Sequence, residues 1–254
     1  MTEEFKLTVG ADPEFFLELD GKPVSAHTMV PGTKDKPHKL KHGAVQLDGM
    51  AVEFNIDPAS TAEEFSHNIH EVLKQIRQMI PVQYKFSFKP SVFFEPYYFE
   101  QVPEQHKELG CNPDFNAYTE LMNPAPDTSA YPTMRTGAGH IHIGWTKGMD
   151  KKDYDHLRSC RAMIKRIDNY YQHYAPLFDS DKTRQNLYGK NGCFRPTTYG
   201  VEYRTPSNAW VQYPKLYPWM FDFTKACYDS LVSGSSYAYP PDYSNSLKRS
   251  KWNG

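Results

Sequence analysis

Four segments of the chain place carboxylates, imidazoles and an arginine at alternate positions, the spacing that gathers side chains on one face of a β-strand. In Ala51-Val-Glu-Phe-Asn-Ile56, Glu53 and Asn55 oppose Val52, Phe54 and Ile56. In Gly139-His-Ile-His-Ile-Gly-Trp145, His140 and His142 oppose Ile141, Ile143 and Trp145. Glu202 and Arg204 oppose Val201 and Tyr203, and Asp12 and Glu14 are in phase against Phe15 and Leu17. For any single strand the plainer explanation is a solvated sheet face. As a set, however, the polar residues are Asp, Glu and His rather than Thr, Lys and Ser, and Gly10, Gly49, Gly137, Gly139 and Gly200 flank them. If Asp12, Glu14, Glu53 and Glu202 converge, their charges require cations. Hard divalent ions with oxygen ligands fit, and Mg²⁺ brings phosphates with it. A His in the set suits Mg²⁺ or Mn²⁺ and also Zn²⁺ or Fe²⁺. Asp48 is out of phase with Glu53 unless a turn at Gly49 intervenes, and ranks below the others as a ligand candidate.

A basic constellation follows: Lys182, Arg184, Lys190, Arg195 and Arg204, interleaved with Tyr188-Gly189 and Asn191-Gly192. Arginine forks beside a carboxylate–metal cluster match phosphate oxygens. Lys182 and Arg184 read as ordinary charges of a solvated loop, whereas Arg204 shares a strand face with Glu202. No GxxxxGK[ST], GxSxG or HExxH sequence occurs, and Cys111, Cys160, Cys193 and Cys227 form no CxxC pair. Cys193 has no base partner in the pattern and reads as a packed thiol. His67 and His70 lie off the apolar stripe of their helix and read as surface imidazoles.

The elements that must position these groups are legible in the periodicity. Helices are expected over 60–80, with Ser60 and Glu63 as a capping box, over 153–175 capped by Asp153, and over 218–232 opening at Pro218. Strands are expected over 14–19, 51–56, 84–88, 139–145 and 201–204. The order is not a regular βαβ alternation, so the fold class is α+β with a largely antiparallel sheet. Segments 90–135 and 177–200 read as long ordered loops. Residues 1–232 read as one domain and 233–254 as a poorly ordered tail. The chain has 254 residues, 15% of them aromatic, and a formal net charge of −1, against a nucleic-acid or anionic-membrane binder. No apolar run is long enough to span a membrane and no secretory signal is visible, so a reducing cytoplasm is expected.

Gly10-Ala-Asp-Pro-Glu-Phe-Phe16, Asp48-Gly49 with Val52-Glu-Phe-Asn55, Gly137-Ala-Gly-His-Ile-His-Ile-Gly144 and Tyr188-Gly-Lys-Asn-Gly-Cys-Phe-Arg195 leading to Glu202-Tyr-Arg-Thr-Pro-Ser207 occur in that order. Together they resemble the glutamine synthetase/glutamate–cysteine ligase superfamily, and within it the phage-encoded carboxylate–amine (COOH.NH2) ligases, type 2. The resemblance implies a curved antiparallel sheet whose concave face is an active-site funnel, with helices on its back. It implies two or three Mg²⁺ or Mn²⁺ ions on Asp12, Glu14, Glu53, His140 and Glu202, with Asp12 standing where better-known members carry Glu. Arg195 and Arg204, with Lys190 and His142, would face the phosphates of ATP, and Glu53, Arg195 and Arg204 would serve catalysis. The implied reaction is ATP-dependent formation of an amide through an acyl phosphate, from a small-molecule or peptide carboxylate and an amine. It needs no nucleic acid or membrane and allows a homo-oligomer; a phage-encoded chain would work in the host cytoplasm. Two other readings stay open: a metal-dependent hydrolase or oxygenase using His140 and His142, and a non-catalytic binding protein on the same fold.

Overall fold

The computed structural model describes residues 5–107 and 114–242. In chain order its strands and helices are β1 (Thr8–Leu19), β2 (Lys22–Val24), β3 (His38–Leu40), β4 (Gly43–Asp48), β5 (Ala51–Ile56), α1 (Ala62–Met79), β6 (Lys85–Ser87), β7 (Ser91–Phe93), α2 (Pro96–Gln101), α3 (Glu104–Lys107), β8 (Phe115–Asn116), β9 (Met134–Thr136), β10 (Gly139–Gly144), α4 (Tyr154–Tyr174), α5 (Lys182–Leu187), β11 (Cys193–Thr197), β12 (Gly200–Tyr203) and α6 (Leu216–Val232).

The main sheet runs β3-β4-β5-β1-β10-β12-β11-β8, with β2 and β6 also paired to β1. Every pairing in it is antiparallel. The fold is α+β, with a curved antiparallel sheet and helices, as expected. One face packs on α1, α4 and α6: Val9, Phe15, Leu17, Val52, Phe54, Ile141, Ile143, Val201 and Tyr203 are buried there with Phe65, Ile69, Ile76, Ile164, Ile167, Met220 and Phe223. The period-two and period-3.6 stripes therefore meet in one core, which leaves the opposite sheet face free for polar groups. At one end that face is dry, because Phe16 packs with Met50, Ala51, Val92 and Phe94 under β7 and α2.

Several boundaries differ from the sequence reading. β1 begins at Thr8, six residues before its expected start, since Gly10-Ala-Asp-Pro13 is paired with β10 and is no turn. The α1 cap is shifted by one: Thr61 accepts from the Glu64 N–H at 3.1 Å, while Glu64 accepts from the Ser60 N–H at 2.7 Å. Asp153 caps α4 as expected, accepting from the His156 N–H at 2.8 Å. α6 opens at Leu216, and Pro218 sits in its first turn, where a missing N–H costs no helical bond. The presumed loops 90–135 and 177–200 contain β7, α2, α3, β8 and β9, and α5 and β11, respectively. In the segment after α6, the Ala238 N–H donates to the Tyr170 hydroxyl at 2.8 Å and Arg166 donates to the Ser235 carbonyl at 2.9 Å. The rest of the expected tail, 243–254, lies outside the described residues, as does Cys111.

Gly139 shows how tightly the site strand is seated. A Cβ there would lie 2.2 Å from the Ser207 carbonyl and 2.6 Å from Trp210 Nε1. Backbone cannot yield at that distance, so Gly139→Ala is expected to cost roughly 3 kcal/mol by overpacking, read as a lower urea midpoint.

Candidate active site

The register of the sheet lays the polar residues in one band. Glu53 stands opposite Gln46 on β4 and Glu14 on β1; Asp12 stands opposite His140 on β10. His142 stands opposite Glu202 on β12, and Glu202 opposite Arg195 on β11. Asp48 joins this band: the β4–β5 hairpin turns at Gly49 with φ +56° and pairs Asp48 with Ala51, two residues from Glu53 and on its face. The expected phase mismatch is corrected by that hairpin.

Within the band the structure brings Asp12, His140 and Glu202 closest, with one ligand atom of each within 4.8 Å of the others. His140 Nδ1 is 3.3 Å from Glu202 Oε1 and 3.6 Å from Asp12 Oδ1. His142 Nε2 is 3.1 Å from Asp12 Oδ2, and its Nδ1 is hydrogen-bonded to the Tyr199 hydroxyl at 2.6 Å. Glu202 is held by both arginines: Arg195 Nη1 donates to Oε2 at 3.0 Å and Arg204 Nη1 donates to Oε1. Arg204 Nε also faces Asp114 Oδ2 at 3.4 Å. Glu14 and Glu53 form a second focus with Asp48, where Gln46 Nε2 donates to Glu53 Oε2 at 2.6 Å and the Ala138 N–H to Glu14 Oε2 at 3.0 Å.

Electrostatics prepares the first focus for a cation. Burial, then the Arg204 charge, pushes His140 down to about 4, against the pull of Glu202 and Asp12. Its imidazole is thus neutral and able to ligate at pH 7. Burial opposes ionisation of Glu202, but the His140 hydrogen bond and the Arg204 charge hold it well below the ordinary carboxylate range. At the second focus burial, then Asp48, raises Glu14 from 4.5 to about 7, and burial, then Asp12, Glu14 and Asp48, raises Glu53 well above its usual range. Asp12 Oδ1 is buried without a hydrogen-bond partner. An orphaned carboxylate oxygen in an oxygen-rich set containing one neutral imidazole is the donor chemistry of a divalent cation.

Two cavities open on this band. Glu14, Asp48, His140, Arg135, Arg184 and Arg204 line the first, with Lys190 at its exposed rim. Thr8, Gly10, Asn55, His142, Gly144 and Tyr199 line the second. Alternate residues of β10 thus face different cavities, with the Asp12–His140–Glu202 trio between them. Lys190 and His142, grouped by the resemblance, lie at opposite ends.

Among the sequence expectations, Lys182 is indeed exposed, but Arg184 is no solvated loop charge. It is 2% exposed, donating at 2.9 Å each to the carbonyls of Thr205 and Pro206. Asp181 caps α5 and turns Arg184 inward, where those carbonyls follow the end of β12. His67 and His70 are exposed as expected, and Cys193 is a buried thiol pushed up to about 12 by burial and then Asp114. Arg135, Gln46, Asp114 and Tyr199 were not visible as site residues; Arg135, two residues before Gly137-Ala-Gly139, and Gln46, two before Asp48-Gly49, stand next to a motif.

No family model and no curated protein matches the chain. Solved structures do. A bifunctional glutathione synthetase from Pasteurella multocida is similar over 96% of this chain and 39% of its own, at 10% identity and a TM-score of 0.46. GmaS in complex with ADP is similar over 94% of this chain and 57% of its own, at 15% identity and a TM-score of 0.45. For Plasmodium falciparum glutamine synthetase the shares are 93% and 54%, at 11% identity and a TM-score of 0.45. The chain therefore spans roughly two fifths to three fifths of the length of these proteins. No described helix is long and apolar enough to cross a membrane.

Proposed function

We propose that this chain is an ATP-dependent carboxylate–amine ligase of the glutamine synthetase/glutamate–cysteine ligase superfamily, of the phage-encoded type 2 kind. The observation that carries the proposal is the trio Asp12, His140 and Glu202 with Arg195 and Arg204 paired to the same Glu202 carboxylate, at the junction of two cavities. Asp12, His140 and Glu202 would hold one divalent cation, and Glu14 and Glu53, with Asp48 beside them, another. Bound Mg²⁺ or Mn²⁺ would neutralise phosphate charge as it develops.

The chain's own residues have distinct tasks. Arg195 and Arg204, released from Glu202 as a cation takes their place on it, would present their forks to the phosphoryl group passing from ATP to the substrate carboxylate. His142, fixed by Asp12 and Tyr199, borders the second cavity. That cavity has neutral walls in Thr8, Asn55 and Tyr199 and side-chain-free Gly10 and Gly144, which suits a flat base; an Asn amide pairs naturally with the edge of adenine. The first cavity, lined by charges of both signs, would take the acid and the amine, with Lys190 reaching the phosphates from that side. A hydrolase built on both histidines fits less well, because His142 is not a member of the trio.

A non-hydrolysable ATP analogue is expected to raise the melting temperature only with Mg²⁺ or Mn²⁺ present. Gly10→Val tests the placement: the Cβ has only ordinary contacts, 3.6 Å from the His142 Cβ at the nearest, and the methyls beyond it would narrow the cavity. The variant should melt like the native chain and lose the analogue shift. An analogue shift unchanged in Gly10→Val would put the base elsewhere, and no shift in the native chain, with Zn²⁺ or Fe²⁺ stabilising it instead, would return the site to histidine-centred chemistry.

A further inference from the structure

Asp168, 1% exposed on α4 at the back of the sheet, lines neither cavity, yet segments that border the site converge on its carboxylate. The Gly192 N–H, in the turn before β11, donates to Oδ2, and the Tyr203 hydroxyl of β12 donates to Oδ1. The Tyr118 hydroxyl, just beyond β8, also bonds it. One turn further along α4, Gln172 Oε1 accepts from Asn191 Nδ2 at 3.3 Å. The turn is tied in its own right to the end of β12. The Thr205 hydroxyl donates to the Lys190 carbonyl at 3.0 Å, and the Arg204 N–H donates to the Cys193 carbonyl at 3.0 Å. The Ala117 N–H donates to the Gly192 carbonyl at 2.9 Å, which joins the β8 arm, with Asp114 at its start, to the same turn.

Strand alternation gives this back-side contact its reach. Tyr203 and Thr205 turn toward α4, while Glu202 and Arg204 point to the site from between and beside them. We propose that Asp168 is a positioning residue of the site: its carboxylate holds the Lys190–Gly192 turn and the end of β12 together, so that Lys190, Arg195 and Arg204 are presented to the nucleotide phosphates as one set. The proposal deepens the ligase reading, on which the word nucleotide rests. The carboxylate is also where a proton would act. Burial raises Asp168 from 3.8 to about 6, against the bonds from Tyr203 and Gly192. The titratable groups facing it do not change charge there: burial first raises Tyr118, Tyr171 and Tyr203 above 10 and Cys193 to about 12. Lys165, 5.8 Å over the Tyr118 ring, is the cation on the solvent side. Protonation turns charge-assisted bonds into neutral ones of roughly half the strength, so the set is held above about pH 6 and loosens below it.

The test titrates native protein and Asp168→Asn with a non-hydrolysable ATP analogue in Mg²⁺ at a series of pH values from 8 to 5. At pH 8 the variant should bind at least about tenfold more weakly, the effect of a lost charge-assisted bond, and the two should converge toward pH 5. Mn²⁺ alone, followed by its paramagnetic resonance, should bind both within about threefold, because Asp168 does not touch the trio. A merely structural residue would weaken analogue and Mn²⁺ alike at every pH. Tyr118→Phe removes one donor at a side chain 50% exposed, and should move the convergence up by about half a pH unit or more. It carries the test if Asp168→Asn fails to melt cooperatively. Native-like analogue affinity in Asp168→Asn at pH 8, a native-to-variant ratio constant with pH, or an unmoved profile in Tyr118→Phe overturns the proposal. The Gly192 amide resonance, read in parallel, should titrate near pH 6 in native protein and stay flat in Asp168→Asn. That titration without any Mg²⁺-dependent analogue binding sinks the ligase reading alone, and analogue binding beside a Gly192 amide that does not titrate sinks this inference alone.

Discussion

Glu53→Gln is expected to abolish ATP turnover, by on the order of a thousandfold or more, and to leave the metal-free fold at least as stable as the native one. The two effects have one cause. Burial, then Asp12, Glu14 and Asp48, makes ionised Glu53 unfavourable in the absence of a cation, and Glu14 is raised from 4.5 to about 7 by burial and then Asp48. A carboxyl raised on folding contributes fully below its unfolded value and loses that contribution as pH climbs to its folded value. Metal-free protein should therefore lose a few kcal/mol of stability as pH rises from about 4.5 to about 7 through Glu14, with Glu53 extending the loss in the same direction. Mg²⁺ should reverse it. In Glu53→Gln the amide oxygen can still accept from Gln46, so the fold keeps its hydrogen bond and loses a charge. Melting temperature against pH, with and without Mg²⁺, checks this: the variant's profile should be flatter and its Mg²⁺ response smaller. Uniform destabilisation at pH 5 and pH 8 would make Glu53 a structural residue, and unchanged turnover would remove it from the site.

The alternation that locates this band was legible because it is local. Glu53 against Phe54, or His140 and His142 against Ile141 and Ile143, needs only the period of a strand, and the stripes of α1, α4 and α6 need only the period of a helix. What stayed hidden depends on distant partners. β11 reads as loop because Pro196 interrupts it, yet β8 pairs only with Cys193 and Phe194, leaving Pro196 at an edge where no N–H is needed. Arg184 reads as a solvated charge because the carbonyls that receive it belong to Thr205 and Pro206, far along the chain. Asp48 changed standing once its hairpin partner was known, and Arg135 could not be singled out until β9 brought it to the cavity wall. Strand faces are a one-dimensional property; which charged side chain enters the same cavity is not.

Glu202→Gln should fail differently from Glu53→Gln, and the contrast separates the two foci. Glu202 is ionised and its side chain only 3% exposed, with Arg195 on one oxygen and Arg204 on the other. Neutralising it leaves those guanidiniums without their shared counter-ion. Arg195, with a side chain 32% exposed, can turn to solvent at little cost, whereas Arg204, 16% exposed, is left with Asp114 at 3.4 Å and the longer-range pull of Asp12. Removing one partner of a buried pair typically costs 3–5 kcal/mol, and with Arg195 partly solvated a loss of roughly 3 kcal/mol is expected. The sign with pH is opposite to that at Glu53. A carboxyl held below its ordinary 4.5 stabilises the fold above that value and ceases to as pH falls below it, so the variant's deficit should be full at pH 7 and shrink toward strongly acid pH. On the proposed function turnover should be lost as well, because Glu202 would be a ligand of the cation held with Asp12 and His140. The check is urea unfolding of both variants at pH 7 without metal: Glu202→Gln below the native chain and Glu53→Gln at or above it. If both fell equally, the two foci would be one structural cluster, and the division into a pre-neutralised trio and an uncompensated acid group would be wrong.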